Sequence, residues 1–221
     1  MEAYTIIFLL AGVLTALLFG VYIAERSKRK NYVRIWNDRS GVRVSTGKWF
    51  HTAKKSVFLY GLSFEETFTS HKGDLVKAFR PGVKINMLLL NPKSKHIAGH
   101  KEFSDRPIEK EIDKNINIKL KNIFFESLTE EQRTQLTVKA TNFWPRFSAK
   151  IWDDRYMYVN FYLYRSSASD NPVILLNAKN NPESFKKING SLLRLFNDPD
   201  NIIIAQHGQW HGLKYFDPPE A

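Results

Sequence analysis

The hydrophobic pattern divides the chain into one long apolar segment and a series of shorter, alternating runs. Residues 5–24 read TIIFLLAGVLTALLFGVYIA and carry no charge. At about 1.5 Å per residue, a helix of this length spans roughly 30 Å, which is the thickness of the hydrocarbon core of a bilayer. The pattern therefore predicts one transmembrane helix close to the N-terminus.

The flanks of this segment predict its orientation. A cleaved signal peptide is the alternative, but the segment lacks a basic n-region and runs into ERSKRK instead of a small-residue cleavage site. No Lys or Arg precedes it, whereas Arg26, Lys28, Arg29 and Lys30 follow it. Because basic flanks stay inside, we expect a single-pass protein of the inner (cytoplasmic) membrane, with its N-terminus outside and its domain in the cytoplasm.

Small residues recur at every fourth position of the predicted helix. Gly12, Ala16 and Gly20 share one helix face, where they would let a second helix approach closely. Self-association through this face is therefore one expected interaction, alongside contact between the basic flank and anionic lipid headgroups.

The rest of the chain alternates between strand-like and helix-like periods. Residues 26–50 are interpreted as a basic linker and a short helix. SVFLYG (56–61) and the apolar run at 83–92 predict two buried strands joined by a helix at 65–79, which suggests a parallel pair.

Beyond residue 92 the pattern predicts a loop, a helix over 108–128 and then a series of strands. Apolar positions place Ile112, Ile116, Leu120 and either Ile123 or Phe124 on one face of that helix. The strand-like runs are LTVKA, FSAKIWD, YMYVNFYLY and PVILLN. A helix over 182–196 and one short strand from Ile202 follow.

Charge and cysteine content narrow the function classes. The formal charge is +11, but residues 25–55 hold ten Lys or Arg against two acids, so most of the excess lies directly after the apolar segment. Lipid headgroups explain a charge in that place, which argues against nucleic acid as a partner. The chain has no cysteine, which excludes disulfides and thiolate metal sites. We expect no metal or other cofactor.

Three segments carry a resemblance to a known family. They read TAKKSVFLYGLSFEETF, LVKAFRPGVKINMLLLNPKS and FSAKIWDDRYMYVNFYLY. Together with the order of elements they resemble a single phospholipase D-like domain over most of residues 52–196. The resemblance implies an α/β fold, a mixed sheet with helices on both faces. It also gives a division into an anchor (1–25), a linker with a short helix (26–50) and the domain (51–221).

The resemblance also points to a site with a missing group. The family's chemistry uses a His-x-Lys-x4-Asp motif whose imidazole attacks phosphorus. Here Ser148 stands in the place of the His and Lys150 in the place of the Lys, while Asp153 and Asp154 follow the Lys at three and four positions instead of five. A serine without a base does not replace imidazole. We therefore expect a binding module rather than an enzyme, with Lys150, Ser148 and Asn91 as candidate phosphate ligands.

Three functional hypotheses remain open. The first is a catalytically degenerate, membrane-anchored module that binds a phosphate-bearing ligand or a protein partner, in a sensing or defence response. The second is an active phosphodiesterase, a phospholipase or nuclease, that uses His207 or His211 with Lys150. It requires one of these histidines within hydrogen-bond reach of Lys150. The third is a structural subunit of a membrane complex.

Overall fold

The computed structural model describes residues 33–37, 49–97, 107–163 and 170–213. The predicted anchor at residues 5–24, its small-residue face and its basic flank lie outside these ranges. Within them, no helix has the length and apolar character needed to cross a membrane. The chain divides after Val33, and the described strands and helices all belong to the unit that begins at Arg34.

The described residues of this unit build a mixed sheet of nine strands, in the order β1-β7-β6-β5-β2-β3-β4-β8-β9. The strands are β1 Arg34–Trp36, β2 Ser56–Gly61, β3 Lys84–Leu90, β4 Leu136–Thr141, β5 Phe147–Trp152, β6 Tyr156–Phe161, β7 Val173–Asn177, β8 Ile202–Gln206 and β9 Gln209–Trp210.

The centre of the sheet is parallel and its flanks are antiparallel. β3 pairs with β2 on one side and with β4 on the other, in parallel register, which confirms the predicted parallel pair. β5, β6, β7 and β1 extend the sheet beyond β2 by antiparallel pairing, and β8 and β9 extend it beyond β4. A central parallel strand is buried on both faces, which explains the apolar run Met87–Leu90 in the second half of β3.

Several short helices and one long one connect these strands. They are α1 Glu65–Thr69, α2 Lys72–Val76, α3 Ile108–Lys114, a π-helix Asn115–Phe124, a 3-10 turn Phe125–Ser127, α4 Glu130–Thr134 and α5 Pro182–Phe196. Residues 49–52 are also helical.

The helices cover both faces of the sheet. On the first face, Leu59, Met87 and Val138 join one buried cluster with Phe68 of α1 and Phe124 of the π-helix. The second face is covered by α5, whose Phe196 ring meets the Phe58 ring edge-on with centroids 5.4 Å apart. Apolar residues of the sheet that point in opposite directions are thus buried by different helices.

Two predicted helices differ from the structure. The helix predicted over 65–79 is divided into α1 and α2 at Ser70 and His71, two residues with lower helix propensity than Ala. The helix predicted over 108–128 begins as α3 and continues as a π-helix. Its i→i+5 bonding widens the turn and keeps residues four apart near one face, so Phe124 is buried and Ile123 is exposed.

Three elements were absent from the sequence interpretation. β1 lies within the segment interpreted as a linker, and Arg34–Trp36 pairs with β7. β9 is a two-residue strand after a tight turn. α4 begins with a capping box in which Thr129 accepts from the backbone N–H of Gln132 and the Gln132 side chain accepts from that of Thr129. The Thr-x-x-Gln spacing was a readable signal for that helix.

Candidate functional site

One edge of the sheet collects the residues that the sequence singled out. The parallel strands β2, β3 and β4 all end at this edge, β5 begins there, and β6 ends there. We call it the carboxyl edge. Open α/β sheets bind ligands outside the carboxyl ends of their parallel strands, because loops from several strands converge there.

Ser148 lies at this edge in a crowded position. It is half-buried on β5, opposite Asn160 of β6. A Cβ placed on Gly61 would lie 3.1 Å from the Ser148 Cβ and 3.2 Å from both the Phe64 ring and the Tyr162 hydroxyl. Gly61 is therefore needed for Ser148, Phe64 and Tyr162 to meet at the end of β2.

Lys150 shares a sheet face with Ser148, two residues further along β5. It is half-buried, opposite Leu59 on one side and Tyr158 on the other. Its Nζ lies 5.9 Å from the centroid of the buried Phe50 ring. Lys150 is therefore covered in part by the helical residues 49–52, unlike a lysine on an open strand surface.

Two buried amides lie next to Ser148, and the sequence interpretation did not propose them. Asn160 and Asn171 are both buried, and the Asn160 Nδ2 donates to the Asn171 carbonyl at 3.4 Å. The Asn171 side-chain amide makes no hydrogen bond with any described residue. The polar Asn160 between the aromatic residues of β6 was the available signal.

Asp153 and Asp154 have structural roles. Both adopt a positive φ in the turn between β5 and β6. The Asp153 carboxylate accepts backbone N–H groups of Lys54 and Lys55 at 2.7–3.0 Å and that of Ser56 at 3.2 Å. Asp154 accepts from the Asn189 amide at 3.3 Å. The Asp153 carboxylate is thus directed at the start of β2, the end opposite to the carboxyl edge.

Asn91 reaches the carboxyl edge, but its side chain joins two loops. Its Nδ2 donates to the Asn142 Oδ1 at 2.8 Å, and its Oδ1 accepts from the Lys93 backbone N–H at 3.0 Å. Both ends of the amide are therefore used inside the protein. These bonds hold the loop after β3 against the loop after β4.

His207 and His211 do not share a site with Lys150. His207 lies in the turn between β8 and β9, and the His211 backbone N–H donates to the Ile204 carbonyl of β8. Three strands separate β8 from β5. At about 4.8 Å per strand this is a distance of roughly 19 Å, far beyond a hydrogen bond. The active-phosphodiesterase hypothesis requires one of these histidines within hydrogen-bond reach of Lys150, and neither lies that close.

A second group of histidines lies elsewhere. The His51 Nε2 is 2.7 Å from the Asp74 Oδ1, and the His71 Nδ1 is 3.9 Å from the other carboxylate oxygen. The Arg80 guanidinium also donates to the His51 carbonyl. Across the described ranges, no group of His, Asp and Glu side chains is arranged to hold a metal ion. These contacts fasten residues 49–52 to α2.

Burial shifts the pKa of Tyr60, a residue near the carboxyl edge. Tyr60, the penultimate residue of β2, is buried with its ring edge-on to Phe147 at 5.6 Å. Burial raises the pKa of Tyr60 to about 12, and the nearby Tyr162 phenol adds to the increase. The Tyr60 phenol therefore remains neutral at physiological pH.

Comparison with known proteins gives matches among solved structures alone. No protein-family profile matches the chain, and no curated protein matches its sequence. Among solved structures it is similar to the phosphatidylserine synthase of Haemophilus influenzae Rd KW20, with 13% identity over 80% of this chain and 40% of that chain, at a TM-score of 0.50.

Two further structures match more loosely. One is the phospholipase D family member Nuc from Salmonella typhimurium, with 12% identity over 79% of this chain and 99% of that chain, at a TM-score of 0.45. The other is the archaeal chromatin protein TrmBL2, with 16% identity over 73% of this chain and 52% of that chain, at a TM-score of 0.42. The chain thus spans about half of TrmBL2 and less than half of the synthase. At these identities the likeness concerns the fold alone, and the described domain has the α/β architecture, one mixed sheet with helices on both faces, that the sequence resemblance predicted.

Proposed function

We propose that this chain is a catalytically degenerate phospholipase D-like module that binds a phosphate-bearing ligand at the carboxyl edge. In this proposal residues 5–24 hold the module at the cytoplasmic face of a membrane. The observation that carries it is Ser148, which stands in the place of the family's nucleophile with Lys150 two residues behind it.

Loss of catalysis is supported by the surroundings of Ser148. A serine hydroxyl needs an adjacent base before it attacks phosphorus. Of the histidines that the structure describes, none lies on β5 or β6, and His207 and His211 are several strands away. The carboxylate that follows Lys150, Asp153, accepts backbone N–H groups at the far end of β2.

Binding is supported by the groups that share the face and edge of Ser148. The Lys150 ammonium supplies positive charge, and the Tyr162 hydroxyl and the Asn160 amide supply hydrogen bonds near Ser148. A half-buried ammonium with neutral hydrogen-bonding groups suits a phosphate oxygen, because the attraction increases where water is partly excluded.

The full chain in detergent tests this proposal with bis(p-nitrophenyl) phosphate, which reports binding and turnover together. We expect saturable binding without release of p-nitrophenol. Lys150→Met should weaken binding by about tenfold or more, because it removes the charge while keeping the packing on Phe50. Lys187→Met, on the exposed surface of α5, is the matched control and should bind normally.

Two outcomes would contradict the proposal. Release of p-nitrophenol that disappears in Ser148→Ala protein would show an active enzyme. Binding that is absent, or unchanged in Lys150→Met protein whose circular dichroism is native, would remove the phosphate site.

A further inference from the structure

Three loops at the carboxyl edge form one continuous surface. They comprise residues 91–97 after β3, 142–146 between β4 and β5, and 161–163 at the end of β6, and we call them the loop rim. The Ser94 Oγ donates to the Asn142 carbonyl at 2.5 Å, and the Tyr162 backbone N–H donates to the Arg146 carbonyl at 3.1 Å. The loops are therefore fixed to one another.

The loop rim exposes large apolar side chains. Phe143 is 54% exposed and Leu163 is 53% exposed, although both lie beside well-buried strands. A single exposed apolar residue is ordinary on a protein surface. Two of them on loops that are hydrogen-bonded to one another form an exposed apolar feature of the described surface.

The charges of the loop rim have one sign. Lys93, Lys95 and Arg146 are exposed there, and the three loops contain no Asp or Glu. Acids occur beside the rim on α3, where Glu109 and Asp113 line a hollow together with Lys93. Exposed apolar tips next to the cations of the rim, Lys95 and Arg146 among them, fit a surface that is both anionic and apolar.

We propose that the loop rim docks onto an anionic lipid bilayer. Phe143 and Leu163 enter the boundary between headgroups and acyl chains, and Lys93, Lys95 and Arg146 contact lipid phosphates. A single-stranded nucleic acid also binds aromatic and basic residues, but Leu163 is an exposed aliphatic side chain on which a base cannot stack, whereas it suits an acyl chain. The inference shares the membrane setting of the proposed function and does not depend on phosphate binding at Lys150.

The absence of cysteine makes a direct test practical, since a single introduced cysteine is the only labelling position. Phe143→Cys and Leu163→Cys proteins are labelled with an environment-sensitive fluorophore, and the full chain is mixed with vesicles of phosphatidylcholine with or without phosphatidylglycerol. Ile203→Cys is the matched control, because Ile203 is 41% exposed and lies on β8, away from the loop rim.

We expect fluorescence at positions 143 and 163 to rise about twofold with phosphatidylglycerol vesicles and to be quenched by brominated lipids, while position 203 stays unchanged. Arg146→Glu should reduce the rise, and Arg194→Glu on α5 should not. Equal responses at 163 and 203 would overturn the inference, as would a response to an oligonucleotide but not to vesicles. A loss of bis(p-nitrophenyl) phosphate binding in Lys150→Met protein, with the vesicle response intact, separates the two proposals. If Phe143→Cys fails to fold, Leu163→Cys carries the test alone.

Discussion

Asp153 shows how a residue in a catalytic segment serves the fold. Its carboxylate accepts three consecutive backbone N–H groups at the start of β2, and its positive φ suits a short polar side chain. The charge is thus used where β2 begins, and β2 is the strand that leads to Ser148. Asp154, its neighbour, makes one weaker contact with Asn189.

We predict that Asp153→Asn lowers the free energy of unfolding by about 1–2 kcal/mol, since hydrogen bonds to a charged acceptor are stronger than those to an amide. Asn tolerates the positive φ, so the loss reports the charge. Asp154→Asn should change stability by less than about 0.5 kcal/mol. Urea denaturation measures both. Equal effects at the two positions would contradict the structural role of Asp153.

Tyr60 links stability to alkaline pH. Burial raises its folded-state pKa to about 12, whereas the unfolded chain titrates near 10. Between these values the unfolded state loses the proton first, so stability is full below pH 10 and falls as pH rises toward 12. The expected loss is of the order of 2–3 kcal/mol.

The measurement is a series of urea denaturations between pH 8 and 12, in which Tyr60→Phe should flatten the alkaline fall. The variant is needed because Lys139 acts in the opposite direction. Burial lowers the pKa of Lys139, so its contribution to the stability of the protein increases as pH rises. An identical fall in native and Tyr60→Phe protein would assign it to other groups.

The last turn of α5 is held to the sheet by side chains rather than by a glycine cap. The Lys139 Nζ donates to the Phe196 carbonyl at 2.9 Å and lies 4.6 Å from the Phe196 ring centroid. The Asn201 Nδ2 donates to the carbonyls of Leu195 and Phe196. A cation at this end also interacts favourably with the negative C-terminal end of the helix dipole.

We predict that Lys139→Met destabilises the protein by about 1 kcal/mol, because the stem volume stays while the hydrogen bond to the Phe196 carbonyl is lost. Thermal unfolding followed by circular dichroism measures the change. Lys187→Met, on the exposed face of the same helix, is the control. A melting temperature unchanged in Lys139→Met would show that Asn201 alone is sufficient.

The sequence predicted best the elements whose apolar residues follow a regular pattern. β2 and α5 have the predicted bounds, 56–61 and 182–196, because an apolar run or an amphipathic face determines each locally. β1 could not be predicted, since three residues with an exposed Ile35 form a strand only through pairing with β7. The π-helix was missed because its apolar spacing also fits an α-helix.

The site was predicted only in part, for the same reason. Ser148 and Lys150 came from a linear motif, and their shared face follows from strand alternation. The contribution of Gly61, Phe64, Tyr162 and Asn160 depends on three different strands meeting at one edge, which no local pattern encodes. The distance of His207 from Lys150 likewise depends on strand order.

Across the whole molecule, stability should fall from the centre of the sheet to its edges. β3 lies between two parallel partners and is buried on both faces, whereas β1 has three residues and one partner. We predict that amides of Lys84–Leu90 exchange with deuterium only on global unfolding and that those of Arg34–Trp36 exchange by local opening, at least about a hundredfold faster. Hydrogen exchange with mass spectrometry measures both, and equal protection would contradict this order.

The attachment of β1 has a mechanical consequence. Force applied to the chain before Arg34 reaches β1 first, and β1 is held by three residue pairs with β7 and by the Trp36 ring against Tyr158. Among the described residues, the next one along the chain with a ring contact to Tyr158 is Trp49, whose ring stacks on it with centroids 4.2 Å apart. Tension would therefore detach β1 and then Trp49, uncovering Tyr158 while the central strands stay paired. Tension on the start of this domain would thus be released in two separate steps, the first at β1 and the second at Trp49.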